Sequence, residues 1–358
     1  MVVKYILQVE ECIGNAAYNR VEMFCRGLIQ YGINCELKIY KKSSFRYKFF
    51  DKIWALKNLL SMIIILICLS KNDVLIIYGE NYYLKYLLKL PRKAKLLVER
   101  NEYSTYLIRE NLPYRQVKVI KQFERLLAKC DGLIVCSEYL KEYYAQFTTA
   151  PIVIIPLVID ISLFKIADYL PQKYLAYCGD FGGNKDGLPI LLEAFAMITF
   201  KYPDYKLYLI GDTKEDNTMV ILNERVKQLG LVGKVIFTGR VSHSEMPILL
   251  GNASVLLLAR PANKQAEGGI PSKLAEYLAT GRPTLVTKVG ELNKYFIDNK
   301  NIFFAQPDSV EDFSSKMDLI LSDYTVAVKI GKCGANVVKQ FDYMKQTQIL
   351  INYILGLV

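Results

Sequence analysis

The stretch ASVLLLARPANKQAEGGIPSKLAEYLATGRPTLVT, residues 253–287, decides how the rest of the chain is read. It opens on an apolar run, crosses a polar loop with two adjacent glycines, enters a helical pattern through Pro271, stops at Gly281 and resumes as a β-branched run. Apolar strands separated by helices belong to parallel sheets covered on both faces. Gly268 and Gly269 let the backbone approach a ligand, and Pro271 suits the first turn of a helix. A helix start presents unpaired N–H groups and the positive end of a dipole, which together hold an anion. Glu276 lies one turn further in and can accept hydrogen bonds from two vicinal hydroxyls. An anion and a diol on one ligand describe a nucleotide; a plain loop–helix join with a surface glutamate is the structural alternative.

The same alternation runs outward in both directions. Residues 4–9, 33–40, 73–79, 94–100, 131–137 and 151–156 read as strands in the first half, and 173–179, 205–211, 234–239, 253–259, 283–287 and 301–305 in the second. The expected fold class is therefore α/β, with two doubly wound domains whose ligands bind at the carboxyl ends of strands. A chain of 358 residues, 52% hydrophobic, is comfortable with two cores. We place the first domain at 1–165, the second at 173–340, the linker in FKIADYLPQKY (164–174), and a last amphipathic helix at 341–358.

Charge divides unevenly. Residues 1–165 carry 25 Lys and Arg against 15 Asp and Glu, leaving the remainder nearly neutral. Either this is a solvated basic face or the first half meets something anionic. RYKFFDKIWALK (46–57) interleaves aromatics with lysines in the manner of interfacial segments, favouring a membrane surface. No nucleic-acid module accompanies the charge, so nucleic acid is not expected as a partner. The most apolar run, LLSMIIILICL (59–69), makes a helix of roughly 16 Å, half of a bilayer core, and reads as buried or interfacial. Eight scattered cysteines without a Cys-x-x-Cys pair suggest reduced thiols in a cytoplasmic protein, with neither a metal site nor a disulfide framework. The N-terminal residues run straight into a strand pattern and do not read as a signal peptide.

Two further turns bear on chemistry. YCGDFGGNKDGLPILLEAF (177–195) is a second glycine-rich passage from strand to helix, in which Lys185 can neutralise a diphosphate oxygen. Its glycines fit neither the dinucleotide fingerprint nor a Walker loop. In the first half, Gly14 follows strand one and can approach phosphates, with Arg20 on the next helix.

Taken in order, these residues resemble glycosyltransferase family 4, the retaining sugar-nucleotide-dependent enzymes of GT-B fold. The resemblance runs through KCDGLIVCSEYLKEYY (129–144), VIIPLVIDISLF (153–164), NKDGLPILLEAF (184–195), LYLIGD (207–212), residues 234–259 and, most specifically, GGIPSKLAEYLATGRPTLVT (268–287). It implies two Rossmann-like domains with a cleft between them, an acceptor-binding first domain and a nucleotide-sugar-binding second, and a terminal helix crossing back to the first. The donor substrate would be a nucleotide-diphosphate sugar, with no further cofactor and no metal. The acceptor would be a glycan or a lipid-linked molecule, as in surface-polysaccharide assembly, met in the cytoplasm or on the cytoplasmic face of a membrane. Lys185 would contact the diphosphate and Glu276 the ribose. Gly268, Gly269, Ile270, Pro271 and Ser272 would offer backbone amides to phosphate or sugar, Arg240 and Val241 would flank the base, and Gly14 would close on the diphosphate.

Three departures from the family pattern stand out. The family's two glutamates are separated by seven residues, but the position eight before Glu276 is Gly268, and Glu267 lies one residue further off. The usual Gly-Arg-Leu turn reads Gly179-Asp180-Phe181, so a second phosphate cation must come from Lys273 or Arg260. The family's histidine after the fourth strand is replaced by VERNEY (98–103), leaving Glu99, Arg100, Asn101 and Glu102 as candidates for acceptor or donor-sugar contacts. The only histidine, His243, reads as a surface residue. No Asp-x-Asp occurs, which argues against the metal-dependent glycosyltransferase architecture. A sugar-nucleotide epimerase of similar fold and a non-catalytic sugar-nucleotide-binding subunit are the competing readings.

Overall fold

The structure is a computed structural model. It describes residues 1–9, 15–41, 48–79, 83–109, 111–164, 171–183, 185–213, 215, 217–242 and 244–358, without the side chains of 41 and 48–52. The chain divides into two compact units. The first comprises Met1–Ile159 and Phe341–Val358, the second Asp160–Gln340. Most of the expected linker, 165–170, lies outside the described residues.

The first unit is built on a six-stranded parallel sheet of β1 (Val2–Val9), β2 (Asn34–Lys41), β3 (Val74–Tyr78), β4 (Lys95–Arg100), β5 (Gly132–Val135) and β6 (Ile152–Ile154), in the order β2-β1-β3-β4-β5-β6. The chain steps outward from β1 to β2, then back past β1 to β3, so strand order reverses between β1 and β3. The second unit repeats the device with β7 (Tyr174–Cys178), β8 (Lys206–Ile210), β9 (Val235–Gly239), β10 (Val255–Leu258), β11 (Thr284–Thr287) and β12 (Phe303–Ala305), ordered β12-β11-β10-β7-β8-β9. Its reversal falls between β7 and β10. All pairs are parallel, and in open sheets of this kind the crevice outside such a reversal takes the ligand. The twelve strands are those expected from sequence. In the central strands the residues are apolar along the run because both sheet faces are covered, as in β10, where Val255, Leu256, Leu257 and Leu258 are all buried, whereas edge strand β2 alternates with Glu36 and Lys38.

Helix α1 (Ala16–Gln30) starts where the Asn15 side chain accepts from the Ala17 and Tyr18 amides, and leaves through Gly32 at φ +78°. Its inner face sets Phe24 parallel to Tyr5 of β1, ring centroids 6.4 Å apart. The Tyr343–Leu355 helix packs on α1 so closely that a Cβ on Gly27 would overlap Thr347. Outgoing Ile159 and returning Tyr343 are tied by a 2.8 Å backbone hydrogen bond. The apolar run 59–69 ends helix α2 (Lys48–Cys68). Met62 and Leu66 of this helix enter the core of the first unit. No helix among the described residues is long and apolar enough to cross a membrane.

Candidate functional site

At the β7/β10 reversal two loops meet. The loop after β7 turns at Gly179, whose amide donates to the Ile210 carbonyl at 2.9 Å. Asp180 then accepts the Gly182 amide at 2.7 Å, and the loop enters the Leu188–Ile198 helix through Gly187 at φ +68°. Gly187 is tight against β10: a Cβ there would overlap the Ala259 carbonyl. The loop after β10 was expected to be irregular. It contains one short helix, Lys264–Gly268, because Asn263 caps it by accepting the Ala266 amide at 2.8 Å. The backbone then becomes extended through Gly269 and Pro271 and enters the Ser272–Ala279 helix.

A buried carboxylate joins the loops. Asp186 takes a 2.5 Å hydrogen bond from the Lys273 ammonium and one of 2.8 Å from the Tyr177 hydroxyl, with the Arg260 guanidinium 3.8 Å from its other oxygen. Burial pushes the Asp186 carboxyl upward, but Lys273, Arg260 and Tyr177 outweigh it and hold the group below the ordinary carboxylate range. The Lys273 ammonium also sits 4.8 Å from the Tyr177 ring centroid. A Cβ on Gly179 would collide with that ammonium. The absent side chain at Gly179 is therefore what admits Lys273 to the end of β7.

Glu276, on the same helix as Lys273, is partly exposed, yet its carboxyl is packed round by protein. Desolvation pushes it up to about 7 against the opposing charge of Lys273. Glu276 and Asp186 both act on the Cys178 thiol, pushed up to about 12 first by burial. Tyr277, next along, accepts the Cys178 amide through its hydroxyl at 2.6 Å and ties the helix to the strand end. Lys273, Glu276, Asp186 and Gly179 thus share one corner.

The other expected residues fall as follows. Lys185 is exposed, beside Asp186 in the same loop. Gly268 is buried, Gly269, Ile270 and Pro271 are half-buried, and Ser272 is exposed at the helix start. Glu267 lies on the short helix, paired with Lys264 at 2.8 Å. Arg260 is only 3% exposed and donates to the Gly269 carbonyl at 2.9 Å, so it braces the glycine loop from inside. Of the two cations considered for the second phosphate position, Lys273 is the one more open to solvent. Arg240 is exposed, its guanidinium 2.7 Å from Asp212, and Val241 is half-buried in the loop after β9. Gly14 and His243 lie outside the described residues.

In the first unit Glu99 is fully buried in β4. It receives hydrogen bonds from Arg20 at 2.6 Å and from Asn101 at 3.1 Å, while Asn101 also donates to the Tyr78 hydroxyl at 3.1 Å. Arg20 further donates to the Ile155 carbonyl at 2.6 Å, so it locks α1 onto the sheet. One Glu99 oxygen, the Asn101 side-chain oxygen and the Tyr5 hydroxyl have no hydrogen-bond partner among the described residues. Such orphaned atoms mark a place that a polar ligand or water can satisfy. Arg100 is also buried, donating to the Tyr144 hydroxyl at 3.0 Å and lying over Phe123. Glu102 is exposed and contributes its carbonyl to Tyr144 at 2.9 Å. Sequence reading passed over Asp186, Tyr177 and Tyr277; an acidic residue just before the glycine that opens a helix was the one available signal.

Residues 159–337, half of the chain, match the family model described as "Glycosyl transferases group 1". The chain belongs to that family. The matched segment covers the whole β7/β10 corner. Among curated proteins the chain is 30% identical over 169 residues to mannosylfructose-phosphate synthase of Agrobacterium fabrum, 46% of this chain and 36% of that protein. It is 25% identical over 255 residues to an uncharacterized glycosyltransferase, YqgM, of Bacillus subtilis, covering 70% of this chain and 67% of the relative. The chain thus spans about a third of the first of these relatives and two thirds of the second. Among solved structures, a sucrose-phosphate synthase from Thermosynechococcus elongatus superposes with a TM-score of 0.80 at 15% identity over 99% of this chain and 98% of that one. HepE of Anabaena, solved with UDP and glucose, superposes with a TM-score of 0.76 at 14% identity over 99% of this chain and 100% of its own. At such identities the likeness speaks for the fold, which is GT-B.

Proposed function

We propose that this group 1 glycosyl transferase is a retaining, metal-independent enzyme of family 4 type that moves a hexosyl group from a nucleotide-diphosphate sugar to a hydroxyl of a glycan or lipid-linked acceptor. The observation that carries the reading is the convergence of Lys273, Glu276 and the Gly179–Gly187 loop at the β7/β10 reversal. The cation and the start of the Ser272–Ala279 helix suit a diphosphate, and the carboxylate suits a ribose diol. Neighbours solved with UDP and with UDP-glucose make a uridine donor the first to test.

In the proposed reaction the bond between the anomeric carbon and the diphosphate oxygen breaks as the acceptor oxygen bonds to that carbon on the same face. The acceptor proton passes to the departing phosphate oxygen, so no histidine is required. The protein's part is to hold the diphosphate as its charge grows, through Lys185, Lys273 and the helix start, and to keep donor and acceptor in register. Asp186 keeps Lys273 aimed through their ion pair. Glu276 orients the ribose, and Glu267 is the candidate for donor-sugar contact. We assign acceptor binding to the first unit, with Glu99 and Asn101 as the polar groups that carry uncommitted oxygens. A role in surface-polysaccharide assembly, with the protein peripheral on the cytoplasmic side of a membrane, is consistent with the basic charge of residues 1–165.

The test is a purified-enzyme assay over UDP-, GDP-, ADP- and dTDP-sugars with glycan and lipid-linked acceptors. Lys185→Ala and Glu276→Ala should each lower kcat/KM by on the order of a hundredfold. Unchanged activity in both variants sinks the assignment, and conversion of the donor without any acceptor identifies an epimerase instead.

A further inference from the structure

Helix α2 is apolar on its outer face as well as its inner one. Its inner face carries Asn58, Met62 and Leu66, all buried. Its outer face carries Ile53, Leu56, Leu60, Ile64 and Ile67, which are 51%, 57%, 50%, 61% and 67% exposed. At about 100° per residue these five fall within an arc of roughly 80°, and they run for about 21 Å along the helix. A single-stranded row of aliphatic side chains this long is not scattered surface apolarity; contiguous patches of this kind mark interaction sites.

Beside the row lies a groove of about 810 Å³ whose walls differ in character. Ile53, Leu56, Leu60 and Ile64 form one side, and Lys4, Glu36 and Lys38 of the neighbouring strands line the other, with Lys57 on the helix. Glu36 is shared by Lys4 at 3.0 Å and Lys38 at 3.9 Å, so the groove keeps an excess of positive charge. In its lining three lysines, Lys4, Lys38 and Lys57, thus stand against one carboxylate, Glu36. An apolar stripe rimmed by cations fits a surface that is anionic outside and hydrocarbon beneath. It does not fit a second copy of the same face, which would set these lysines against one another. Because the inner face of α2 is already committed to the core, only the outer face is available, and the helix must lie along such a surface.

We infer that the outer face of α2 and its lysine-lined groove seat the first unit on an anionic lipid bilayer, with the helix in the plane of the interface and Ile53, Leu56, Leu60, Ile64 and Ile67 among the acyl chains. The inference deepens the transfer reading, since a lipid-borne acceptor would be met at this face, but it stands on the geometry of the first unit alone.

The chain's one tryptophan, Trp54, is on α2, so its emission reports this helix and nothing else. The full chain is mixed with vesicles of phosphatidylcholine containing 30 mol% phosphatidylglycerol, and with phosphatidylcholine alone. Binding should appear with the anionic vesicles as a blue shift of Trp54 and as co-flotation, and should weaken at least tenfold in 0.5 M salt. The double variant Leu60→Glu/Ile64→Glu should lose at least tenfold in vesicle affinity with an unchanged melting temperature. Should the glutamates lower that temperature, Lys38→Glu/Lys57→Glu tests the face through its charge and should cut binding to the anionic vesicles alone. Equal flotation of wild type and folded variants overturns the proposal, as does binding independent of phosphatidylglycerol. A variant that changes oligomeric state, from a wild type that binds no vesicles, overturns it in favour of self-association. A chain that floats but binds no nucleotide sugar refutes the transfer reading and leaves the docking; one that binds nucleotide sugar and does not float does the reverse.

Discussion

Glu276 is the residue whose chemistry is most exposed to experiment. Its carboxyl is raised from 4.5 to about 7, so the folded state prefers it protonated. The resulting stability is fully present below pH 4.5 and is lost as pH rises through 7. Glu276→Gln should therefore leave the unfolding free energy nearly unchanged at pH 5 and raise it by roughly 1–3 kcal/mol at pH 8, read by urea titration. Donor binding carries the opposite sign, because a ribose diol is held best by the carboxylate. Affinity for the nucleotide sugar should rise several-fold between pH 6 and pH 8 in the wild type and stay flat in the Gln variant, by calorimetric titration. Asp186→Asn tests the neighbouring brace. It leaves Lys273 without its charge partner in a half-buried site, which should cost roughly 3 kcal/mol of stability. A drop in donor affinity beyond what Lys273→Ala produces would contradict the view that Asp186 acts through that lysine. The place of Lys185 in a glycine-rich loop and of Glu276 one turn into a helix was legible in the sequence, because adjacent glycines and a helix start set them. Asp186 was not, because its partner Lys273 is 87 residues away and only the fold brings them together.

At the scale of elements, the central strands were readable from short apolar runs, since burial on both faces is a local property of composition, and edge strand β2 from its alternation. Strand order was not readable, because which runs pair is decided by the crossovers, and it is the order that puts the loops after β7 and β10 side by side. Two left-handed glycines, Gly187 at that junction and Gly233 in the turn before β9, show the same divide. Gly187 combines φ +68° with a backbone carbonyl in the place of its missing Cβ, whereas Gly233 at φ +78° has open space there. Gly187→Ala should cost roughly 1–3 kcal/mol from backbone conformation alone, and more as the Leu188–Ile198 helix is pushed off β10. Gly233→Ala should show only the conformational part and leave donor binding intact, by denaturant titration and thermal shift. The short Lys264–Gly268 helix escaped the sequence reading because one turn capped by Asn263 has no periodicity to detect.

For the whole molecule, the two units should respond to different reagents. A saturating nucleotide sugar, at a hundred times its Kd, stabilises the unit that binds it by about 2.7 kcal/mol, which should move the calorimetric transition of 160–340 upward by roughly 5–10 °C. Leu350→Ala, in the tail helix packed on α1, should lower the other transition through a core cavity worth roughly 2–5 kcal/mol. A single transition that both perturbations shift alike would show that the units unfold together. The way the chain crosses between them has a further consequence, in the order of synthesis. The second unit is one uninterrupted run, complete once Gln340 has been made. The first takes segments from both sides of it, Met1–Ile159 and Phe341–Val358, so the apolar face of α1 that Leu350, Ile351 and Ile354 cover must wait through the synthesis of the whole inserted unit. On the ribosome the half begun first is the half finished last, and the nascent first sheet is the part of this protein that a chaperone would have most time to meet.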